Sequence, residues 1–461
     1  MDNVTHTLAG LVVAHAALYL RGRRRPPAAT GPLQLATLTT SALANNAPDL
    51  DFLYRGITPG RLGYLLHHRG HTHTLLATLP LGLFCVAAVA AVLRLRGQRL
   101  GRSEWGFLLG VALLGGVLHV TMDFGNNYGV HPFWPLDDHW YYGDAIFIIE
   151  PWLMIALGGI VFGASRSLAA RALIGLILVG LSSVAWIQAY GPSPLLQPAL
   201  AVLLTLGSAV WLGWMRWSAP HWRRRSAVLC LGLGLFAQLL CRAIARDRVQ
   251  RSLAQAGSFE LVSLASTPLP ADPLCWSMLA VGLSGGGREY VIQQAFVSAW
   301  PAVWPESACP WPHAGTTAPL APPAAPLPAA AGISWGLEFR APLAELRALA
   351  REDCVARAFL RFARVPFWLQ TRPSGTLLSD ARLPDARLPD ARLPDARLPE
   401  RKPPETRLPV NEHRARLIGD ERFDRSPAIE FAELPLEPDA QCPRFEPPWR
   451  PPLRLLDPPL R

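Results

Sequence analysis

Lysine is nearly missing from this chain of 461 residues: all but one of its 44 basic residues are arginine, and Lys402 is the exception. Charge of either sign is scarce, at 17% of the sequence, while half of the residues are hydrophobic. The opening residues, MDNVTHTLAG, hold an acid and a histidine where a secretory leader would carry basic residues, which argues against a cleaved signal peptide. Cysteine is sparse as well, and none of the seven falls in the histidine- and aspartate-rich stretches described below. That argues against a closed structural zinc site built on thiolates. The arginine clusters lack interleaved aromatic residues, so the net charge of +10 does not read as a nucleic-acid surface, and no nucleic-acid partner is expected.

What is abundant is apolar sequence, concentrated before residue 245. Runs long enough to cross a bilayer cover 75–93, 105–122, 145–163, 172–190, 198–215 and 226–241. Two shorter runs, 7–20 and 33–44, are ambiguous, since 14 residues of helix reach roughly 21 Å against a hydrocarbon core of ~30 Å. Arginines gather between the runs, from Arg21 to Arg25, from Arg94 to Arg102, at Arg166 with Arg171, and from Arg216 to Arg225. The positive-inside rule places these loops in the cytoplasm. The uncharged loop GPSPLLQP (191–198) and everything after about residue 245 then fall outside.

The expected fold is mainly α. A polytopic helical membrane domain of six to eight segments comprises a core at 1–165 and additional helices at 166–245. A small α/β or β-rich extracytoplasmic domain at 255–378 follows, read from aromatic and β-branched pieces such as REYVIQQAFVSAW and FLRFARVPFWLQ. A Pro/Ala linker at 318–330 interrupts it. Residues 379–461 read as a disordered Pro-rich tail that opens with DARLP four times over. Cys275, Cys309, Cys354 and Cys442 lie on the outer side, where disulfides are permitted but their pairing is open. Cys85, Cys230 and Cys241 fall in apolar runs and read as packing residues.

The topology collects histidine and aspartate at the outer ends of the helices. Asp2 and His6 precede the first run, and Asp49 and Asp51 follow the second. His67, His68, His71 and His73, a third of the chain's twelve histidines, precede the third. His119 and Asp123 end the fourth, four residues apart on one helix face, so one ion could be shared between them. His131, Asp137, Asp138, His139 and Asp144 follow. Ionisable groups at membrane depth are functional candidates by default. Imidazole and carboxylate together suit a divalent ion, with Zn²⁺ favoured and Mn²⁺ or Fe²⁺ as alternatives.

These motifs (MDNVTHTLAG, APDLD, HHRGHTHTLL and HVTMDFGNNYG, with HPFWPL and WYYGDAIFIIEP behind them) resemble the YdjM-like family of membrane-bound metal-dependent hydrolases. The likeness covers about residues 1–165, and more loosely 272–276 and 359–370. It implies a bacterial inner-membrane protein whose metal site and C-terminal domain face the periplasm. It picks out Asp2, Thr5 and His6; Asp49 and Asp51; His68, Arg69, Thr72 and His73; and His119, Asp123, Asn127 and Gly129. It leaves His67 and His71 as bystanders. The order of the ligands is also similar to that of zinc-dependent phospholipases C and single-strand nucleases. The resulting expectation is a metal-dependent phosphoester hydrolase acting on a lipid-linked or other membrane-borne substrate. His6, Asp49, His68, His73, His119 and Asp123 are its candidate ligands. Arg69 and Asp51 are its candidate catalytic residues, Arg69 through paired donors to a phosphate. The alternatives are a transporter or metal-handling protein and a non-catalytic scaffold.

Overall fold

Apolar periodicity and turn residues partition the first 256 residues into helices. In the computed structural model these are α1 (Asn3–Arg24), α2 (Thr30–Ala44), the short α3 (Gly60–His67), α4 (Thr78–Leu95), α5 (Arg102–Phe124), α6 (Pro151–Ala164), α7 (Leu168–Tyr190), α8 (Pro198–Trp217) and α9 (Pro220–Ala256). The structure describes residues 1–24, 30–190, 196–310, 319–370, 416–423, 431–437, 440–453 and 455. The DARLP repeats lie outside these. Among the described residues, α1, α4, α5, α7, α8 and α9 are long and apolar enough to cross a membrane. The ambiguous run at 7–20 is therefore the centre of a full-length helix. The run at 33–44 is helix α2 of 15 residues.

The run expected at 145–163 is shorter than read. Its helix, α6, begins only at Pro151 and has 14 residues. Residues 145 and 146 instead donate their backbone N–H groups to Gly125 O, and proline at the first helical position sets the start. Nine of the fourteen residues of α6 are buried, because α1, α7, α8 and α9 surround it. Helices α1 and α2 touch closely. Ser41 Oγ donates to Gly10 O at 2.7 Å, and a Cβ at Gly10 would lie 2.8 Å from Ser41 O. The outward side chains of α7, α8 and α9, such as Leu176, Val210 and Phe236, are more than 60% exposed, an apolar surface that suits lipid rather than water.

The arginine-rich ends of the helices meet. Arg21 lies 4.8 Å over the Phe107 ring and Arg224 lies 4.4 Å over Tyr19. The opposite end carries the second domain. Helix α9 runs 37 residues, about 55 Å, well beyond the apolar run at 226–241. Its last turns place Cys241, Ala245, Val249 and Leu253 on one face, packed against Trp276, Met278, Ala280, Ala295 and Val297. Gly257, in the left-handed conformation, ends it. The sheet is an antiparallel meander of β1 (Glu260–Leu269), β2 (Asp272–Ser284), β3 (Glu289–Ser298) and β4 (Ile333–Pro342). Helices α10 (Leu343–Glu352) and α11 (Cys354–Phe359) contribute to the larger core with Val281, Tyr290, Ile292 and Phe339.

Part of the segment read as a disordered tail is built into this domain. Strand β5 (Pro366–Gln370) pairs with β6 (Arg416–Asp420), which pairs with β7 (Glu433–Leu436). Cys354 is bonded to Cys442, and Cys275 to Cys309. Trp449 is fully buried and its indole donates to Leu66 O at 3.2 Å. The domain grips the helices through buried arginines: Arg364 Nη1 donates to Asp144 Oδ1 at 2.8 Å, and Arg422 Nη1 to Asn127 O at 2.6 Å. Asn127 Nδ2 in turn donates to Thr267 of β1 at 2.7 Å. The folded second domain thus sits on the end of the bundle where histidine and aspartate collect.

Candidate metal centre

Four helix ends and two irregular loops converge here, each fixed by local chemistry. Asp2 caps α1, accepting from the Thr5 backbone at 2.9 Å and the Thr5 hydroxyl at 2.5 Å, so it sets the start of the helix that carries His6. At the end of α2, Asn45 Nδ2 donates to His6 O. Pro48 then opens a 3₁₀ turn, Ala47–Leu53, that carries Asp49 and Asp51. After α3 the chain reverses through Arg69, whose φ of 60° is left-handed, a costly conformation for a side-chain-bearing residue. A second 3₁₀ turn, His71–His73, brings His73 back toward the centre. His119 and Asp123 come from the last turns of α5.

Asp49, His73, His119 and Asp123 bring four ligand atoms within 4.8 Å of one another. His73 Nε2 lies 3.4 Å from Asp49 Oδ1 and 3.2 Å from Asp123 Oδ2. His119 Nε2 lies 3.6 Å from Asp49 Oδ1 and 3.4 Å from Asp123 Oδ2. The two Nε2 atoms are 3.1 Å apart. Ligands at about 2.0–2.2 Å from a tetrahedral ion stand roughly 3.3–3.6 Å from one another, so these separations fit a divalent ion.

The proton inventory points the same way. His119 Nδ1 meets Asn45 O at 2.8 Å, and His73 Nδ1 meets Asp51 Oδ2 at 3.3 Å. In the neutral rings these contacts place both protons on Nδ1 and leave two Nε2 lone pairs facing each other and two carboxylates. Asp123 Oδ2 is buried and accepts no hydrogen bond, with only the Arg69 Nε ion pair at 3.1 Å beside it. A cation satisfies all four atoms at once, and the all-imidazole-and-carboxylate set suits Zn²⁺, Mn²⁺ or Fe²⁺.

The remaining expected residues surround this set. His6 is buried and stacks on His119 with ring centroids 3.8 Å apart. Its Nε2 is 3.3 Å from Asp123 Oδ1, which the Met1 amino group also contacts. His6 thus reaches the other oxygen of Asp123, not the four-atom cluster. His68 lies outside the cluster too. Its Nδ1 is 3.1 Å from Asp51 Oδ1, its ring stacks on Tyr64, and it is 16% exposed. Asp51, 1% exposed, serves both histidines and accepts the Arg69 backbone N–H at 2.8 Å. Arg69 is buried. It donates to Asn126 Oδ1 at 2.7 Å, places Nε 3.1 Å from Asp123 Oδ2, and lies over the Tyr128 ring. Its guanidinium therefore pairs by charge with the same Asp123 oxygen that faces the cluster.

Burial opposes ionisation of Asp51, but its bonds from His68 and His73 keep it below the usual carboxylate range. Burial lowers His68 in spite of Asp51, so its ring is neutral near pH 7.

Residues 1–191 match the model of the YdjM inner membrane protein family. The resemblance carried by the motifs thus holds over this stretch, which ends with α7 and does not reach 272–276 or 359–370. No curated protein and no solved structure matches the chain. The other YdjM motif positions have structural work to do. Gly129 has φ of 94°, and a Cβ there would lie 2.5 Å from the Tyr142 ring. His67 Nε2 meets Thr58 Oγ1 at 2.9 Å, and His71 packs edge-on to Trp134, both away from the four ligands. Asp137, Asp138 and His139 form a second, partly exposed group. There Asp137 is occupied by His139 and Tyr141, and Asp138 by Arg450. Sequence reasoning missed Asn45 and Asn126. Their signal was the paired asparagines at the ends of two helices, where a side-chain amide can satisfy a loop or neighbouring backbone.

Proposed function

We propose that this membrane protein is a metal-dependent hydrolase of phosphoesters, working at the end of the helix bundle that carries the outer domain. The observation that carries the reading is the pairing of a cation-shaped ligand cluster with a partly exposed His–Asp dyad beside it. Asp49, His73, His119 and Asp123 would hold the ion. Bound there, a divalent ion would lower the pKa of a coordinated water toward ~7 and polarise a phosphoryl oxygen. Asp49, 18% exposed, marks the open side, as does His68.

Asp51 keeps the His68 proton on Nδ1 and leaves Nε2 free to take a proton from water and return it to the leaving oxygen. That is a different role from the ligand role the motif suggested for His68. Arg69 holds Asp123 in place and offsets its charge, in place of the direct phosphate contact expected of it. The arginine-rich loops at the opposite end of the helices favour a periplasmic site.

The test is turnover of a panel of lipid and soluble phosphoesters by detergent-purified protein supplied with Zn²⁺ or Mn²⁺. Substitution His68→Asn is expected to lower turnover about 10²–10⁴-fold while metal content stays unchanged. No turnover of any phosphoester by metal-loaded protein, or a His68→Asn rate equal to wild type, would overturn the assignment.

A further inference from the structure

A groove of about 470 Å³ runs along the flank of the α1–α2 pair, beside the metal centre but outside it. That volume falls in the range of small-molecule sites, about 300–1,000 Å³. The two helices pinch together at Gly10 and Ser41. On the other flank Thr7 and Leu11, one turn apart on α1, face Leu38, Ala42 and Leu43, with Asn46 closing one end. The groove is graded along its length. Asn46 Nδ2 donates to Thr7 Oγ1 at 3.0 Å, and Asn46 Oδ1 accepts from Asn3 at 3.3 Å. Asn3 Nδ2 also donates to Asp49 Oδ2 at 2.8 Å. The polar end is therefore one side chain away from a metal ligand. The apolar end, at Leu11 and Leu38, lies about 12 Å away along the helix direction.

Two features say what fills it. The walls run continuously into the bare apolar surface of the same helices, where Val4, Leu35 and Leu43 are 40–49% exposed, the surface a membrane protein gives to lipid. The loop that holds Asp49 and Asp51 also continues into Phe52, Leu53 and Ile57, each more than half exposed. Three bared apolar side chains beside a water-using centre are unfavourable in water and favourable at a bilayer surface.

We propose that the α1–α2 groove binds one acyl chain of a bilayer phospholipid and sets its phosphoester head group at Asn3 and Asn46, beside Asp49. The fate of the head group rests on the hydrolase reading; the seating of the chain does not. Substrate then reaches the centre sideways from the membrane, and soluble phosphoesters, which leave the groove empty, are poor competitors.

The experiment uses the full chain in phosphatidylglycerol nanodiscs doped with phosphatidic acid that carries a diazirine midway along one acyl chain. After irradiation, cross-links are mapped by mass spectrometry. They are expected to concentrate on α1 and α2 between Thr7 and Leu43. Thr39 lines the groove from an exposed position, so Thr39→Trp fills it without disturbing the core. Loss of contact for two or so methylenes then lowers capture about tenfold, with cross-links on α7–α9 unchanged. Cross-links spread evenly over all the lipid-facing helices, or capture unmoved by Thr39→Trp in folded protein, would overturn the proposal. Capture in the groove without turnover of the captured lipid keeps the groove and removes the hydrolase; turnover without capture does the reverse.

Discussion

Asp51→Asn tests the design of the centre without touching an expected ligand. The carboxylate accepts from His68 on one oxygen, and on the other from the Arg69 backbone and His73, at separations of 2.8–3.3 Å. An amide of the same shape has one acceptor and one donor end. The Arg69 N–H at 2.8 Å needs an acceptor, so the amide oxygen must take that side and the NH₂ must face His68. His73 then loses a charged partner on Nδ1, and the ligand becomes less basic. Losses of such supporting contacts cost about 10–100-fold in metal affinity, or ~1.4–2.7 kcal/mol. His68 must also turn its Nδ1 lone pair toward the new N–H, which puts the proton on Nε2 and removes its capacity to accept one. Metal affinity, measured by competition with a chromophoric chelator, should therefore fall by one to two decades, and turnover should fall further. An Asp51→Asn protein with wild-type affinity and wild-type turnover would refute the assignment of Asp51 to both histidines.

Two further perturbations probe the scaffold. Burial pushes Glu150 up to about 8, against the backbone bonds it accepts from Ala271 and Phe147. A carboxyl whose folded pKa is raised contributes stability below its unfolded value of 4.5, and that contribution is lost as pH rises through about 8. The thermal midpoint should therefore drop between pH ~4.5 and ~8 and level off above that, and Glu150→Gln should flatten that drop; an equal drop in the variant would contradict it. The Cys354–Cys442 bond spans 88 residues, a loop whose closure is worth about 4–5 kcal/mol in the unfolded chain. Cys442→Ser should lower the midpoint of the C-terminal domain and loosen the segment that seats Trp449, seen as protease cleavage near residue 440; unchanged stability under reducing conditions would count against it.

Much of the bundle was legible because long apolar runs mean helices that need lipid or protein around them. The failures have physical causes. Run 7–20 hid a full helix because its first turn is polar by function, carrying Thr5 and His6 into the centre. Run 145–163 was overread because Ala145 to Ile149 are apolar yet held in a loop by Gly125 O, with Glu150 buried beneath. Helix α9 outran its apolar stretch because Arg242, Arg246, Asp247, Arg248 and Arg251 end the hydropathy signal. The i, i+4 row from Cys241 to Leu253 nevertheless continues to face the sheet. Strands β6 and β7 were invisible behind the repeats, since β5, the strand that β6 pairs with, lies on the other side of them in sequence.

At the site, the residue types and their gathering at one end were legible from charge and topology. The division of labour was not. Between His68 and His73 the chain passes through the left-handed Arg69, so no helical or strand period relates the two rings. Only the fold shows that His73 faces the ligands and His68 faces Asp51. Asp51 differs from Asp49 for the same reason: a 3₁₀ turn points one carboxylate into the cluster and the other behind it.

Asp49, His73, His119 and Asp123 can act as proposed only if this chain holds a metal ion there. The direct measurement is elemental analysis of detergent-purified protein, never exposed to chelator, beside a folded His119→Ala/Asp123→Ala double variant. The expected result is about one equivalent of zinc, manganese or iron per chain in the wild type, as a four-ligand site of this size would hold, and none in the variant. No metal in the wild type, or the same content in both proteins, would contradict it.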